Sequence, residues 1–218
     1  MAFPAAARTR AAARPPGSRA GLTRHGILEA ALALVDREGA SSLTMRRLGH
    51  ELGVRAMSLY SHIAGRDELL DGLSEIMVEA LPHRAAEVDW RRAIEGLAHG
   101  IRTTAKQHPD AFRLVGMRPL RTVNALAPVE AVLAALMAAG FGAADAMAAY
   151  RLVASYARGF ALAEIDGFTL DANVTPPLPT AHPAVEAARA TPGALDHDMA
   201  FRSGLEMLLA GLAERYRA

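Results

Sequence analysis

The chain has 218 residues, 51% of them apolar and only 5% aromatic, with no cysteine. That length can bury a substantial core, and the absence of Cys excludes disulfides, thiolate metal sites and Cys nucleophiles. The net charge is +1, but residues 1–66 hold 10 Arg against 4 acids while residues 67–218 hold 14 basic residues against 19 acids. A basic front and an acidic rear suit a nucleic-acid-facing N-terminal part followed by something that does not face nucleic acid.

Abundant Ala and few β-branched runs predict an all-α chain. Residues 1–21 contain Arg8, Arg10, Arg14 and Arg19 among Pro4, Pro15, Pro16 and Gly17. They read as a disordered basic arm, without the continuous apolar stretch of a secretory signal. The longest apolar run, 131–139, is roughly half a membrane span, so no membrane partner is expected. A cytoplasmic location follows.

Thr23 caps a first helix over 24–37, with Ile27, Leu28, Ala31, Leu34 and Val35 at helical spacing and Gly39 as its stop. His25, in its first turn, reads as an exposed surface histidine rather than a phosphate contact. Thr44 caps a second helix that runs to about Leu52, with Leu43 and Leu48 at the spacing of a hydrophobic staple. Gly53 turns the chain, and a third helix is predicted over 55–63. Leu48, Leu52, Val54, Leu59 and Ile63 can fill one small core, while Arg55, Ser58, Tyr60, Ser61 and His62 offer donors, acceptors and an aromatic ring. This is the layout of a helix-turn-helix, whose second helix enters the major groove of double-stranded DNA.

Asp67 and Glu68 open a fourth helix, 66–81, at the positive end of its dipole. Further helices are predicted over 89–107, 111–115, 123–139, 143–165, 183–190 and 197–216. His108-Pro109-Asp110 forms a turn, and the Pro-rich segment 166–183 forms a loop. The total is nine to ten helices. A short recognition helix binds weakly alone, so the apolar stripes of 143–165 and 197–216 are expected to pair in a homodimer that reads a palindromic operator.

The run Leu-Thr-Met-Arg-Arg-Leu, then Leu-Gly-Val, Ser-Leu-Tyr-Ser-His-Ile and Arg-Asp-Glu-Leu-Leu closely resembles the DNA-binding domain of the TetR (tetracycline-repressor) family. His108-Pro109-Asp110, Gly116-Met117-Arg118-Pro119, Gly140-Phe141 and Phe201-Arg202-Ser203-Gly204 resemble the C-terminal ligand-binding and dimerisation domain of its tetracycline-repressor branch. The resemblance implies a helix-turn-helix domain over 22–66 and a ligand-binding and dimerisation domain over 67–218. It implies base-edge contacts from Arg46, Arg55, Ala56, Met57 and Ser58, and phosphate contacts from Thr44, Tyr60, Ser61, His62 and Arg66.

It also implies a pocket for an unidentified small-molecule effector around Gly96, Gly100, Leu114, Met117, Arg118, Glu130, Tyr150 and Phe160, with a carboxylate aligned near Ala163 or Glu164. Leu114 stands where that branch has a metal-ligating His, which argues against a metal–drug complex. No cofactor and no metal site are expected, and the function implied is a ligand-released repressor rather than an enzyme. An enzymatic alternative rests on Glu79 with His83 and on Asp196-His197-Asp198; surface pairing is the simpler account of both. No Gly-rich phosphate loop or nucleophile motif is present. A helical adaptor that does not touch DNA leaves Arg46, Arg47, Arg55 and Arg66 around the motif unexplained.

Overall fold

The computed structural model describes residues 22–81, 89–168, 182–193 and 195–216. Among these residues there are ten α-helices, two 3-10 turns and no strand. The expected basic arm (1–21), His83 and most of the Pro-rich segment lie outside them.

Helix α1 (Arg24–Glu38) starts where the Thr23 hydroxyl accepts from the Gly26 N–H at 3.1 Å, and its stripe of Ile27, Leu28, Ala31, Leu34 and Val35 is buried. A 3-10 turn (Ala40–Ser42) leads to α2 (Met45–Glu51), which Thr44 caps by accepting from Arg47 N–H at 3.1 Å. Leu43 and Leu48 are both fully buried, as the staple requires. Gly53 takes φ +68°, a left-handed turn that L side chains resist.

Helix α3 is shorter than its sequence predicts. It spans Ala56–Leu59, and Tyr60, Ser61 and His62 continue as turns. Ser61 Oγ donates to the Ser58 carbonyl at 2.8 Å, an alternative partner for that carbonyl that competes with helical continuation. Leu59 and Ile63 still reach the core that α1 and α2 close.

Helix α4 (Arg66–Glu79) begins with Glu68 reaching back to accept from the Ala64 N–H at 2.6 Å, much as in a capping box. It packs on α1 and on two later helices, Pro109–Val115 and Ala127–Ala138. Its inner residues Leu69, Leu70, Leu73 and Met77 belong to a core that runs unbroken from Ile27 in α1 to Leu212 in α10. Gly72 faces Leu28 so closely that a Cβ would stand 2.4 Å from Leu28 Cδ2.

Helix α5 (Trp90–Gln107), capped by Asp89, is the axis of the second half and packs on α7 (Ala127–Ala138) and α8 (Ala143–Asp166). Pro109, expected in a turn, is instead the first residue of α6 (Pro109–Val115), where a missing N–H costs nothing. The predicted helix 123–139 divides into a 3-10 turn (Asn124–Leu126) and α7, with Pro128 in the first turn. Helix α9 (Pro183–Ala190) buries no residue. Helix α10 (His197–Arg215), capped by Asp196 at Met199 N–H, packs on α8 through Phe201, Leu205, Leu209 and Leu212.

Candidate nucleic-acid interface and ligand cavity

Residues 22–66 contain six Arg, and the structure divides them in two. Arg24 pairs with Glu75 at 2.9 Å, joining α1 to α4. Arg37 pairs with Glu51 at 3.0 Å, and Arg47 binds Glu38 and, at 3.0 Å, Glu51. Hydrogen bonding to Arg47 holds the Glu38 carboxyl below its ordinary range, and the Arg47 guanidinium is correspondingly raised. Arg47 is therefore part of a clasp inside the domain.

Arg46, Arg55 and Arg66 have no carboxylate partner among the described residues. Arg46 and Arg55 are exposed at α2 and at the N-cap of α3. Around them stand Met57, 76% exposed, Tyr60, 45% exposed, and the exposed Thr44, Ser58 and Ser61. Ala56 and His62 are half-buried beside them. The result is a surface with cations, hydroxyls and an apolar tip at the end of a short helix. Such a set can grip phosphates and touch base edges. Arg66 Nη1 donates to the Leu43 carbonyl at 2.5 Å, so this side chain also ties the start of α4 to the entry of α2. His25 is exposed and pairs with Glu29 at 3.3 Å.

In the second half a cavity opens between α4, α5, α6, α7 and α8, with about 510 Å³ of empty space including its mouth. Its apolar walls include Met77, Val78 and Leu81 from α4 and its end, Leu97 and Ile101 from α5, Phe112 and Val115 from α6, and Pro128 and Val129 from α7. Ser74, Thr104, Tyr150, Arg118 and Arg158 supply the polar groups. Of the residues expected in a pocket, Arg118 and Tyr150 are here. Gly96 and Gly100 are not: the wall takes Leu97 and Ile101, one residue further along α5, because a one-residue step turns a helix by about 100°. Gly100 instead lines a second crevice between α1, α4 and α5, beside Leu32, Ile76 and His99.

Leu114, Met117, Glu130 and Phe160 also lie outside the cavity lining. Met117 is 66% exposed and Glu130 is exposed on α7. Phe160 packs edge-on against Phe201 at 5.1 Å, in a cluster between α8 and α10. Arg102 sits over that cluster, 4.9 Å from the Phe201 ring, and donates twice to Glu164, at 2.6 and 2.5 Å. Glu164 is thus bound to Arg102, and Asp198 pairs with Arg102 at 2.7 Å. Asp196 is spent on capping α10, so Asp196-His197-Asp198 serves packing and capping. Among the described residues no group of three or more His, Asp or Glu is placed to hold a metal.

Leu97, Ile101, Ser74, Met77 and Arg158 are cavity residues that sequence reasoning missed. The α4 stripe was legible, but it reads equally well as plain core.

Residues 27–73 match the model of bacterial regulatory proteins of the tetR family, and residues 81–216 match the tetracyclin repressor-like C-terminal domain. The chain belongs to the TetR family of transcriptional regulators. Membership in this family of DNA-binding regulators removes the enzymatic alternative. This TetR-family chain is 33% identical over 196 residues to the class A tetracycline repressor protein of transposon 1721 from Escherichia coli, covering 87% of this chain and 89% of that protein. It is 40% identical over 144 residues to an HTH-type transcriptional regulator of Saccharopolyspora erythraea, a match that spans 66% of this chain and 61% of that protein's length. Apo ActR from Streptomyces coelicolor superposes with a TM-score of 0.76 at 28% identity, covering 92% of this chain and 96% of ActR.

Proposed function

We propose that this TetR-family regulator is a homodimeric repressor that holds a palindromic operator through two copies of α2–α3 and lets go when a small molecule occupies the cavity under α4. The observation that carries the reading is the exposed pair Arg46 and Arg55, without a carboxylate among the described residues while Arg24, Arg37 and Arg47 are all paired. Arg46, Arg55, Ala56, Met57 and Ser58 read base edges; Thr44, Tyr60, Ser61, His62 and Arg66 hold phosphates. The reading head is 22–66 and the effector and dimer domain is 67–218. The arm 1–21 adds phosphate contacts.

The dimer forms through α8 and α10 as a four-helix bundle. Exposed Leu152, Met199 and Met207 on these two helices are the apolar surface that a second copy covers. Met77 and Ser74 put α4 in the cavity wall, and α4 also packs on α1, so a molecule in the cavity bears directly on the helix that carries the head. A ligand that prefers one position of α4 shifts the population toward it, and operator and effector then weaken each other by the same factor. ActR, a structural relative, has also been solved in complex with actinorhodin, which supports an organic molecule as the kind of effector. The site of action is the cytoplasm; among the described residues no helix is long and apolar enough to cross a membrane.

Selection from a random duplex library tests the reading. The dimer is expected to enrich an inverted repeat, and its recovery is expected to fall when an effector is present. Enrichment of a single half-site, or of no common sequence, would refute the dimeric operator reader.

A further inference from the structure

We propose that the effector is a metal-free organic anion, an apolar body bearing one carboxylate, sulfonate or acidic phenolate, and that Arg158 holds its charge. The inference rests on reading the cavity under α4 as the effector site. Two charged residues line that cavity, and both are cations, Arg118 and Arg158. Arg118 is already occupied: its Nε and Nη2 donate to Asp71 at 2.9 and 2.8 Å, and Asp67 lies 3.7 Å away. Among the described residues Arg158 has no hydrogen-bond or ion-pair partner, and it is half-buried on α8 against the cavity.

The Arg158 guanidinium, drawn partly out of water against apolar walls and without a counter-ion, has solvent as its partner and so stays open to an incoming anion. Its planar fork matches an oxyanion in two parallel hydrogen bonds, so the partner that suits it is an anion that arrives with the ligand. Most of the remaining wall is hydrocarbon, which selects a rigid apolar body. Tyr150, about 12 Å before Arg158 along the axis of the same helix, and Thr104 on α5 offer neutral polar groups in the wall. Among the described residues no His, Asp or Glu lines the cavity, so a divalent cation finds no donor set, and the uncompensated Arg158 repels it.

The test uses a pair of fluorescent probes that differ only in charge: 1-anilinonaphthalene-8-sulfonate and neutral N-phenyl-1-naphthylamine. Each is titrated into the full chain in the presence of a chelator, with wild type, Arg158→Gln, Arg158→Lys and the cavity-filling variants Val129→Trp and Leu120→Trp, Leu120 being a further residue of the cavity wall. Between wild type and Arg158→Gln, the affinity for the sulfonate is expected to fall about 10- to 100-fold while that for the neutral probe holds. Arg158→Lys retains most of the sulfonate affinity, and the cavity-filling variants weaken both probes. If both probes bind the cavity and Arg158→Gln leaves their ratio unchanged, the anion assignment fails and the effector site stands. If neither probe binds, or both bind the filled variants as they bind wild type, the reading of the cavity as the effector site fails with it.

Discussion

His108 Nδ1 lies 2.7 Å from Asp36 Oδ2, so the residue that caps α6 in the effector domain is tied directly to the last turn of α1 in the reading head. The contact joins the two halves independently of α4. Both side chains are 29% exposed, so the pair is neither a fully solvated surface bridge nor a desolvated one. A double-mutant cycle with Asp36→Asn and His108→Ala is expected to give a coupling of about 1 kcal/mol in chemical unfolding. Additive single-mutant effects would mean that the contact holds nothing together.

Two arginines near each other in sequence should behave differently. Arg55→Ala is expected to weaken operator binding by about 1–3 kcal/mol and to relax the preference at one base pair. Arg47→Ala, whose guanidinium is spent on Glu38 and Glu51, is expected to leave that base preference intact. Binding measured across single-base operator variants separates them. A uniform loss for Arg55→Ala on every duplex would assign it to phosphate.

Gly72 is where α4 lies against α1. A methyl group there would meet Leu28 at 2.4 Å, and Leu28 is itself 1% exposed, with no empty side to move into. Gly72→Ala is expected to cost about 1–3 kcal/mol of stability. Adding Leu28→Ala to it is expected to cost less than the sum of the two single changes. Thermal and urea unfolding of the three variants decides this, and full additivity would show that the two groups do not collide.

The Arg102 clamp makes stability depend on acid. Hydrogen bonding to Arg102 holds the Glu164 carboxyl below its ordinary value near 4.5, and the same guanidinium lowers Asp198. A carboxyl lowered on folding contributes stability that is present above its unfolded pKa and is lost as pH falls through the folded one. The melting temperature is therefore expected to drop as pH is taken below about 4.5, with a shallower drop in Glu164→Gln. Equal slopes for the two proteins would place the acid sensitivity elsewhere.

The reading head was legible because local rules decide it. Thr44 and Thr23 as caps, Gly53 as the left-handed turn and the Leu43–Leu48 staple each act within a few residues, and each appears in the structure as expected. Helix α3 fell short because Ser61 bonds the Ser58 carbonyl, a local competition that apolar spacing does not register. The cavity was less legible. A helix carries its whole face from a one-residue shift, which exchanged Leu97 and Ile101 for Gly96 and Gly100. Phe160 belongs to a cluster that Phe201 and Arg102 complete from other helices, which its own helix does not register. Arg47 shows the same limit: as a basic residue beside the motif it looks like a DNA contact, until Glu38 and Glu51 are found around it.

We propose that exposed arginines on α2 and α3, without a carboxylate partner among the described residues, read a specific duplex as a dimer. The most direct test titrates the protein with the duplex upstream of its own gene, and with a scrambled duplex, at several salt concentrations. The account predicts a strong preference for one duplex and an affinity that falls steeply with salt, as released counter-ions require. Equal, weak binding to both duplexes, together with no sequence enriched from a random library, would contradict it.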